Sequence, residues 1–310
     1  MKILITGGAG FIGSHVQDVY LDAGHEVLVV DDLSHGNREN LRPETRFFQM
    51  DVRSPAVAEL IAREKPDAVG HFAAQMEVRR SVEDPFFDAE VNILGGLRVL
   101  KAAAECGTPK FIFASTGGAI YGEQTEFPAS ESHVCAPLSP YGITKLAFEK
   151  YLHYFHVLTG IRTVCLRYAN VYGPRQDPQG EAGVVAIFAQ KFLAGQSPTI
   201  FGDGSQTRDY VFVGDVARAN LLALGDVPPG CYNIGTGVET DVNRLCGLLA
   251  GLLGSKLPAI HAAAKAGDLA RSCLSAKRAQ EVLGWRPQVG LEEGLSRTSE
   301  FFRQRSRAAH

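Results

Sequence analysis

The chain has 310 residues, of which 45% are hydrophobic and 21% charged. These fractions are typical of a cored globular protein and exclude collagen-like or disordered sequence. No segment approaches the roughly 18 uninterrupted apolar residues of a membrane span. With 31 Lys and Arg against 34 Asp and Glu, the net charge is −3, so no basic surplus favours nucleic acid or an anionic membrane as a partner.

The six cysteines are scattered, and none forms a C-x-x-C pair: they are Cys106, Cys135, Cys165, Cys231, Cys246 and Cys273. This usage predicts reduced thiols and a cytoplasmic location, and it indicates neither a disulfide framework nor a metal site. The N-terminus runs from Met1 and Lys2 straight into the apolar Ile3-Leu4-Ile5, which leaves no room for a secretory signal. We therefore expect the fold to begin at the first residues.

Short apolar runs alternate with helix-length segments over the first half of the chain. The predicted strands are Lys2–Thr6, Glu26–Asp31, Arg46–Gln49, Ala68–Phe72, Lys110–Ala114 and Thr163–Leu166. The predicted helices are Phe11–Ala23, Ala56–Glu64, Asp88–Cys106 and Tyr141–Leu158. This alternation is typical of an α/β fold, a Rossmann-like, doubly wound parallel sheet covered on both faces.

After about Val171 the chain becomes rich in Gly and Pro, and shorter elements follow. Helices are predicted at 184–194, 216–224, 243–253, 276–283 and 291–302, with strands at 199–201, 210–213 and 231–234. We expect a dinucleotide-binding domain at 1–172, with returning segments near 207–234. A smaller C-terminal α/β substrate lobe would comprise 173–206 and 235–310.

A glycine-rich turn, T-G-G-A-G-F-I-G at 6–13, joins the first predicted strand to the first helix. Glycine is needed in such a turn because a Cβ would block the approach of backbone N–H groups to a pyrophosphate. Asp31 follows Gly13 by 18 residues, close to the offset of about 20 at which a carboxylate meets the ribose hydroxyls. An acid there, without a following arginine, favours NAD over NADP.

The cofactor contacts predicted from this region are Gly7, Gly10, Phe11, Ile12, Gly13, Asp31, Asp32, Ser34, Gly36, Asp51 and Val52. Two of these have an equally good structural explanation. Asp32 is also explained as a solvated turn acid, and Asp51 as the N-cap of the next helix.

Tyr141 and Lys145 are four positions apart at the start of a predicted helix and share one face of it. A free phenol, with a pKa of about 10, is a poor base at neutral pH. A neighbouring ammonium and an oxidised nicotinamide both favour the phenolate and lower that pKa. Alone, the Y-x-x-x-K spacing is more often a surface pair. In a chain that also carries the glycine turn and Asp31, it indicates proton transfer beside a nicotinamide.

Several segments together carry a family resemblance: the glycine turn, Asp31, H-F-A-A at 71–74, S-T…Y-G at 115–122, Y-G-I-T-K at 141–145 and L-R-Y-A-N-V-Y-G-P at 166–174. They resemble the extended short-chain dehydrogenase/reductase superfamily and, within it, the nucleotide-sugar epimerases. The resemblance runs from Lys2 to about Arg286.

The resemblance implies further site residues. Phe72, Ala73, Ala74, Asn92 and Tyr168 would lie beside the cofactor, together with Tyr141 and Lys145. A hydroxyl would share the proton transfer with the tyrosine, and Thr116 is the first candidate and Ser115 the second, because the family's usual position falls on Gly117. The substrate contacts implied are Thr116, Tyr141, Asn170, Thr199, Phe201, Arg208, Lys265, Asp268 and Ser272.

The activity implied by the resemblance is C4 epimerisation of a UDP-hexose (UDP-glucose or UDP-galactose) through a transient 4-keto sugar, in a homodimer built around a four-helix bundle. Related 4,6-dehydratases carry an Asp-Glu pair where this chain has Gly117 and Gly118, which disfavours elimination. Alternatives are a UDP-N-acetylhexosamine, which the small Ser272 would admit, or UDP-glucuronate as substrate. A non-catalytic NAD-binding regulator and a net reductase are the alternatives from other classes.

Overall fold

The computed structural model describes residues 1–178, 183–264 and 269–308. A seven-stranded parallel sheet forms its centre, with the strand order β10-β6-β5-β4-β1-β2-β3. Its strands are β1 (Lys2–Thr6), β2 (Glu26–Asp31), β3 (Arg46–Gln49), β4 (Ala68–His71), β5 (Lys110–Thr116), β6 (Arg162–Tyr168) and β10 (Gly230–Ile234). This order confirms the predicted doubly wound, Rossmann-like sheet.

Twelve α-helices lie in the described part of the chain. They are α1 (Phe11–Asp22), α2 (Pro55–Glu64), α3 (Val78–Glu83), α4 (Pro85–Ala89), α5 (Gly96–Glu105), α6 (Gly117–Ile120), α7 (Pro140–Thr159), α8 (Val184–Leu193), α9 (Val213–Ala223), α10 (Val242–Leu253), α11 (Lys277–Leu283) and α12 (Leu291–Ala308). A 3₁₀ turn spans Arg38–Asn40, and a π-helical turn spans Glu90–Gly95.

Local signals in the sequence set the ends of the principal helices. The α2 helix begins with a proline directly after Ser54, whose hydroxyl accepts the Ala56 N–H at 3.3 Å. Ser139 caps α7 in the same way, through the Gly142 N–H, and Gly160 ends α7 in the left-handed region at φ 78°. These helices cover the sheet, whose central strands are therefore apolar on both faces.

The helix predicted at Asp88–Cys106 begins earlier and is not uniform. It runs from Pro85 through α4, the π-helical turn and α5. The irregular turn ends at Gly95-Gly96, where a Cβ on Gly95 would lie 2.9 Å from Val52 and one on Gly96 2.7 Å from Phe148. The glycines thus let this helix approach both α7 and the end of β3, and residues of poor helix propensity accommodate the wider turn.

Six short strands outside the central sheet form two smaller ones. The strands β7 (Asn170–Tyr172), β9 (Thr207–Phe212), β11 (Glu239–Asp241) and β13 (Arg271–Ser272) form one sheet around β9. The strands β8 (Thr199–Phe201) and β12 (Ile260–Ala262) pair with each other. Apolar side chains of α8, α10 and α12 pack against β9 as a second core. None of the helices within 1–178, 183–264 and 269–308 is long and apolar enough to cross a membrane.

Candidate functional site

A cavity of about 820 Å³ lies across the carboxyl ends of the central strands. It is lined by nearly every residue predicted to contact a cofactor: Gly7, Gly10, Phe11, Ile12, Gly13, Asp31, Asp32, Ser34, Gly36, Asp51, Val52, Phe72, Ala73, Ala74, Tyr141, Lys145 and Tyr168. The fold thus brings residues from five strand ends to one place, as doubly wound sheets do at their binding crevice.

The glycine turn is shaped so that side chains do not fit in it. Gly7 has φ 70°, and a Cβ on it would lie 2.5 Å from the Ala73 nitrogen. A Cβ on Gly13 would lie 2.2 Å from the Gly7 oxygen. Gly10 precedes α1 and offers no side-chain cap, so no capping side chain occupies the first N–H groups of α1. The residues of this first turn line the cavity. This turn fits a pyrophosphate at a helix N-terminus.

Asp31 ends β2 and is only 7% exposed. Its carboxylate accepts the N–H groups of Ala9 and Leu33, both at 2.9 Å. Burial raises its pKa, and these hydrogen bonds oppose the rise. The side chain is therefore held rigidly in the cavity wall, where its position fits a ribose diol.

The two neighbouring acids are held by local contacts. Asp32 accepts the N–H and the hydroxyl of Ser34, at 2.9 and 2.6 Å. Asp51 pairs with Arg53, whose side chain approaches it at 2.6 Å and lowers its pKa. Since Ser54 caps α2, the N-cap explanation for Asp51 is wrong. Both acids remain in the lining of the cavity.

Lys145 is buried beneath the cavity, one turn after Tyr141 on α7. Its ammonium donates to the Ala114 carbonyl at 3.0 Å and lies 5.8 Å from the centre of the Tyr141 ring. Burial lowers the pKa of Lys145 to about 8, and the carboxylates of Asp88 and Glu149 oppose this shift. The structure therefore places phenol and ammonium side by side, with the ammonium fixed on β5.

Asn92 lies behind this pair, and it is not among the described residues that line the cavity. Its side-chain amide donates to the Gln75 carbonyl at 2.9 Å and to the Asp88 carboxylate at 3.0 Å. Asp88 is fully buried and also accepts the Thr144 hydroxyl at 2.7 Å. The network joins the π-helical turn to α7, so the geometry gives Asn92 contacts to protein groups around Lys145.

The two candidate hydroxyls at the end of β5 make different contacts. Ser115 lines the cavity, but its hydroxyl donates to Glu149 at 2.6 Å. Thr116 caps α6, and its oxygen accepts the Ala119 N–H at 3.3 Å. A Cβ built on Gly118 would lie 3.9 Å from the Thr116 hydroxyl oxygen and 3.8 Å from Asn170 Oδ1, so both side chains are neighbours of this glycine.

Gly117 stands where the resemblance places a hydroxyl residue, and packing explains the departure. A Cβ on Gly117 would lie 2.3 Å from Leu274 Cδ1, and Leu274 is fully buried. Leu274 follows β13, so a segment from the end of the chain occupies the space that a side chain at 117 would need.

Of the nine predicted substrate residues, Tyr141 lines the cavity, and Thr116 is not among the described residues that do. The other seven fall into three groups. Asn170, Arg208 and Ser272 lie in the small sheet around β9, where Ser272 pairs with Arg208 and Asn170 with Tyr210. Thr199 and Phe201 lie on β8, in the other small sheet. None of these five is among the described residues that line the 820 Å³ cavity. Lys265 and Asp268 lie outside the described residues.

Sequence reasoning missed several residues of the site. Gln75, Met76 and Arg80 line the cavity next to the predicted 72–74 segment, and the second lobe contributes Arg175, Gln190 and Arg305. Asp88, Glu149 and Arg167 are charged side chains that are at most 5% exposed. Glu149 continues the four-residue spacing of Tyr141 and Lys145, a signal that was available in the sequence. Arg305 has no comparable signal.

The fold is a doubly wound sheet, and its cavity holds the glycine turn, the buried Asp31 and the tyrosine–lysine pair. Together these define a dinucleotide-dependent protein of the short-chain dehydrogenase type. A family model described as the NAD dependent epimerase/dehydratase family matches residues 3–235. The chain belongs to this family.

Three relatives that match this chain over nearly its full length are UDP-glucose 4-epimerases. The chain is 47% identical to the UDP-glucose 4-epimerase of Mycolicibacterium smegmatis, over 99% of this chain and 100% of that protein. A crystal structure of a Thermotoga maritima UDP-glucose 4-epimerase with UDP-glucose is 48% identical, with a TM-score of 0.97 over 99% of this chain and 100% of that one. The Thermus thermophilus UDP-glucose 4-epimerase complexed with NAD is 46% identical, with a TM-score of 0.94 over 98% and 99%.

Proposed function

We propose that this protein is an NAD-dependent epimerase that inverts C4 of a UDP-hexose, interconverting UDP-glucose and UDP-galactose. The observation that carries the proposal is the placement of Tyr141 and Lys145 in the same cavity as the glycine turn and Asp31. Full-length likeness to UDP-glucose 4-epimerases supports the choice of substrate.

Different residues of this chain hold different parts of the cofactor. The glycine turn and the start of α1 hold the pyrophosphate, and Asp31 holds the adenosine ribose. Phe72, Ala73 and Ala74 line the wall towards Tyr141 and Lys145. When bound, NAD would supply a hydride acceptor at its nicotinamide and, in its reduced form, a hydride donor for the 4-keto sugar.

Tyr141 is the base that removes the proton from the sugar 4-hydroxyl. Lys145 stabilises its phenolate because the ammonium, anchored on the Ala114 carbonyl, places a positive charge beside the ring. Thr116 is the second hydroxyl at the reacting carbon. The choice of Thr116 is supported by Ser115, whose hydroxyl is engaged by Glu149.

The smaller lobe, 173–206 and 235–310 in this division, anchors the nucleotide together with the returning segment that carries Arg208 while the sugar turns. Arg208 suits the diphosphate because a guanidinium binds phosphate oxygens in a bidentate manner. Ser272 pairs with Arg208 in the small sheet and Asn170 with Tyr210, two residues further along β9. Thr199, Phe201, Lys265 and Asp268 complete the proposed contacts. Such anchoring lets the keto sugar rotate without leaving the protein.

Interconversion of UDP-glucose and UDP-galactose tests the proposal directly. The purified protein, assayed with each sugar and with the N-acetylated and glucuronate analogues, should equilibrate the first pair without net NADH formation. NAD should also be recovered from the purified protein. Recovery of NAD with no turnover of any pair would favour the NAD-binding regulator, and stoichiometric NADH consumption would favour the net reductase.

A homodimer is the proposed assembly, formed through α7 and the helix that runs from α4 to α5. An apolar stripe on the outer face of α7 supports it: Ile143, Tyr151, Tyr154 and Leu158 are 41% to 63% exposed. Phe86, on α4, is 82% exposed. Exposed apolar area of this kind marks an association surface. Sedimentation should give a dimer, and Tyr154→Glu with Phe86→Glu should give a monomer; a wild-type monomer would overturn the assembly.

The proposed location is the cytoplasm. All six cysteines are free, five of them in or beside the hydrophobic clusters, which supports a reducing compartment.

A further inference from the structure

The face of α7 that carries Tyr141 and Lys145 continues to Glu149, four residues on. Lys145 donates to the Ala114 carbonyl and Glu149 accepts the Ser115 hydroxyl, so the helix holds two consecutive residues of β5. Glu149 is 5% exposed and reaches β5 through a 2.6 Å hydrogen bond. The catalytic helix and the strand end are therefore joined by charged side chains in the interior.

Arg167 completes this arrangement from the neighbouring strand. It pairs in register with Ser115, and its guanidinium binds both oxygens of Glu149, at 3.0 and 2.6 Å. Its remaining nitrogen donates to the Tyr121 hydroxyl at 2.9 Å, which in turn donates to Asn233 at 2.7 Å. Asn233 pairs with Arg167 in register, so one row of residues crosses β5, β6 and β10.

The contacts of this row fall on both ends of the segment that contains Thr116. Ser115 precedes Thr116 and is held by Glu149. Tyr121 follows α6 and is held by Arg167. Between these points the segment makes one short helix, capped by Thr116 itself. Its geometry therefore depends on the ion pair as well as on its own hydrogen bonds.

We propose that Glu149 and Arg167 are positioning residues for the epimerase reaction: as a buried clamp, they hold segment 115–121, and with it the Thr116 hydroxyl, in place at the end of β5. Ser115 links β5 to this ion pair through its hydrogen bond to Glu149. The inference rests on the proposed function for the reaction that Thr116 assists. The clamp itself is a property of the described residues.

A double variant separates positioning from stability. Replacing a buried ion pair by apolar residues of similar volume is often neutral for stability, whereas removing one partner leaves a buried charge unpaired. Glu149→Leu with Arg167→Met should thus melt near the wild type and keep its bound NAD. We expect kcat to fall by about tenfold or more with KM nearly unchanged, because small misplacements of reacting groups are costly. A double variant with wild-type kcat would overturn the clamp.

Two further measurements keep the test decisive if the double variant does not fold. Ser115→Ala leaves the ion pair intact and should lower kcat several-fold, by less than Thr116→Ala. Equal effects of the two substitutions would contradict the linking role of Ser115. Arg46→Met, which removes the exposed ion pair with Glu64 at the opposite edge of the sheet, is the control and should leave kcat unchanged.

Hydrogen exchange tests the clamp without any assay of activity. In Glu149→Gln the amides of 115–121 should exchange faster than in the wild type, while those of β1 and α1 keep their protection. Unchanged protection of 115–121 would overturn the proposal. An inactive wild-type protein with the expected exchange pattern would instead count against the proposed function alone.

Discussion

The two sheets that frame the site are assembled in different ways. Six of the seven central strands, β1 to β6, follow one another along the chain with a helix or a 3₁₀ turn between neighbours, and they carry the cofactor side of the cavity. The small sheet gathers strands of two to six residues from positions 170, 207, 239 and 271 onward, and it carries Arg208 and Ser272. This difference teaches that the chemistry is built into local, periodic sequence, whereas substrate selection depends on long-range pairing. Substitutions on the two sides should differ accordingly.

The largest effect is expected on the cofactor side, for Tyr141→Phe. Removing the phenol should lower kcat by about 10²–10⁴-fold, the usual contribution of a positioned acid–base group. The ring stays in place, so bound NAD and the melting temperature should match the wild type. Epimerisation assays with NAD quantified after denaturation check both. Activity within a few-fold of wild type would remove Tyr141 from the mechanism.

Gly13→Ala should come next, through loss of the cofactor. The new Cβ would lie 2.2 Å from the Gly7 oxygen, so the turn must open where the pyrophosphate sits. We expect NAD content to drop at least about tenfold. Gly247→Ala, on the exposed side of α10 with no atom within 4 Å, is the matched control and should be neutral or slightly stabilising. A Gly13→Ala protein with wild-type NAD content would show that the glycine turn tolerates a side chain.

The pH dependence should follow from Lys145. Because burial lowers its pKa to about 8, the ammonium is present below that pH and is lost above it. Since the phenolate needs the positive charge, kcat/KM should fall by about tenfold per unit once the pH exceeds about 8. Lys145→Arg keeps the charge at higher pH and should move this limb upward. A flat profile to pH about 10 would show that the charge of Lys145 is not required.

The smallest effect is expected on the substrate side, at Ser272. This residue is buried beside Arg208, and a larger side chain there should restrict the space for a substituent on the sugar. Ser272→Leu should lower kcat/KM for the N-acetylated substrate more than for UDP-glucose, by a few-fold to about tenfold. Ser272→Ala keeps the space open and serves as control. An unchanged substrate ratio in Ser272→Leu would place the specificity elsewhere.

The sequence alone was sufficient for the periodic part of the molecule. Strands Lys2–Thr6, Glu26–Asp31 and Arg46–Gln49 were predicted with the observed bounds, because short apolar runs between turn signals have no competing explanation. The strands β7, β11, β12 and β13 were missed. Each has two or three residues, and such strands are stabilised by their partners and carry no periodicity of their own.

What the amino-acid sequence determined by itself is the doubly wound sheet, the glycine cradle, Asp31 and the tyrosine–lysine pair, since each follows from local geometry and spacing. Only the tertiary structure decided the surroundings of the hydroxyls at the end of β5: it turned Ser115 towards Glu149, brought Thr116 and Asn170 to the same glycine, Gly118, and filled the space above Gly117 with Leu274. Those outcomes depend on contacts between residues more than 30 positions apart, and only the packed chain brings such residues together.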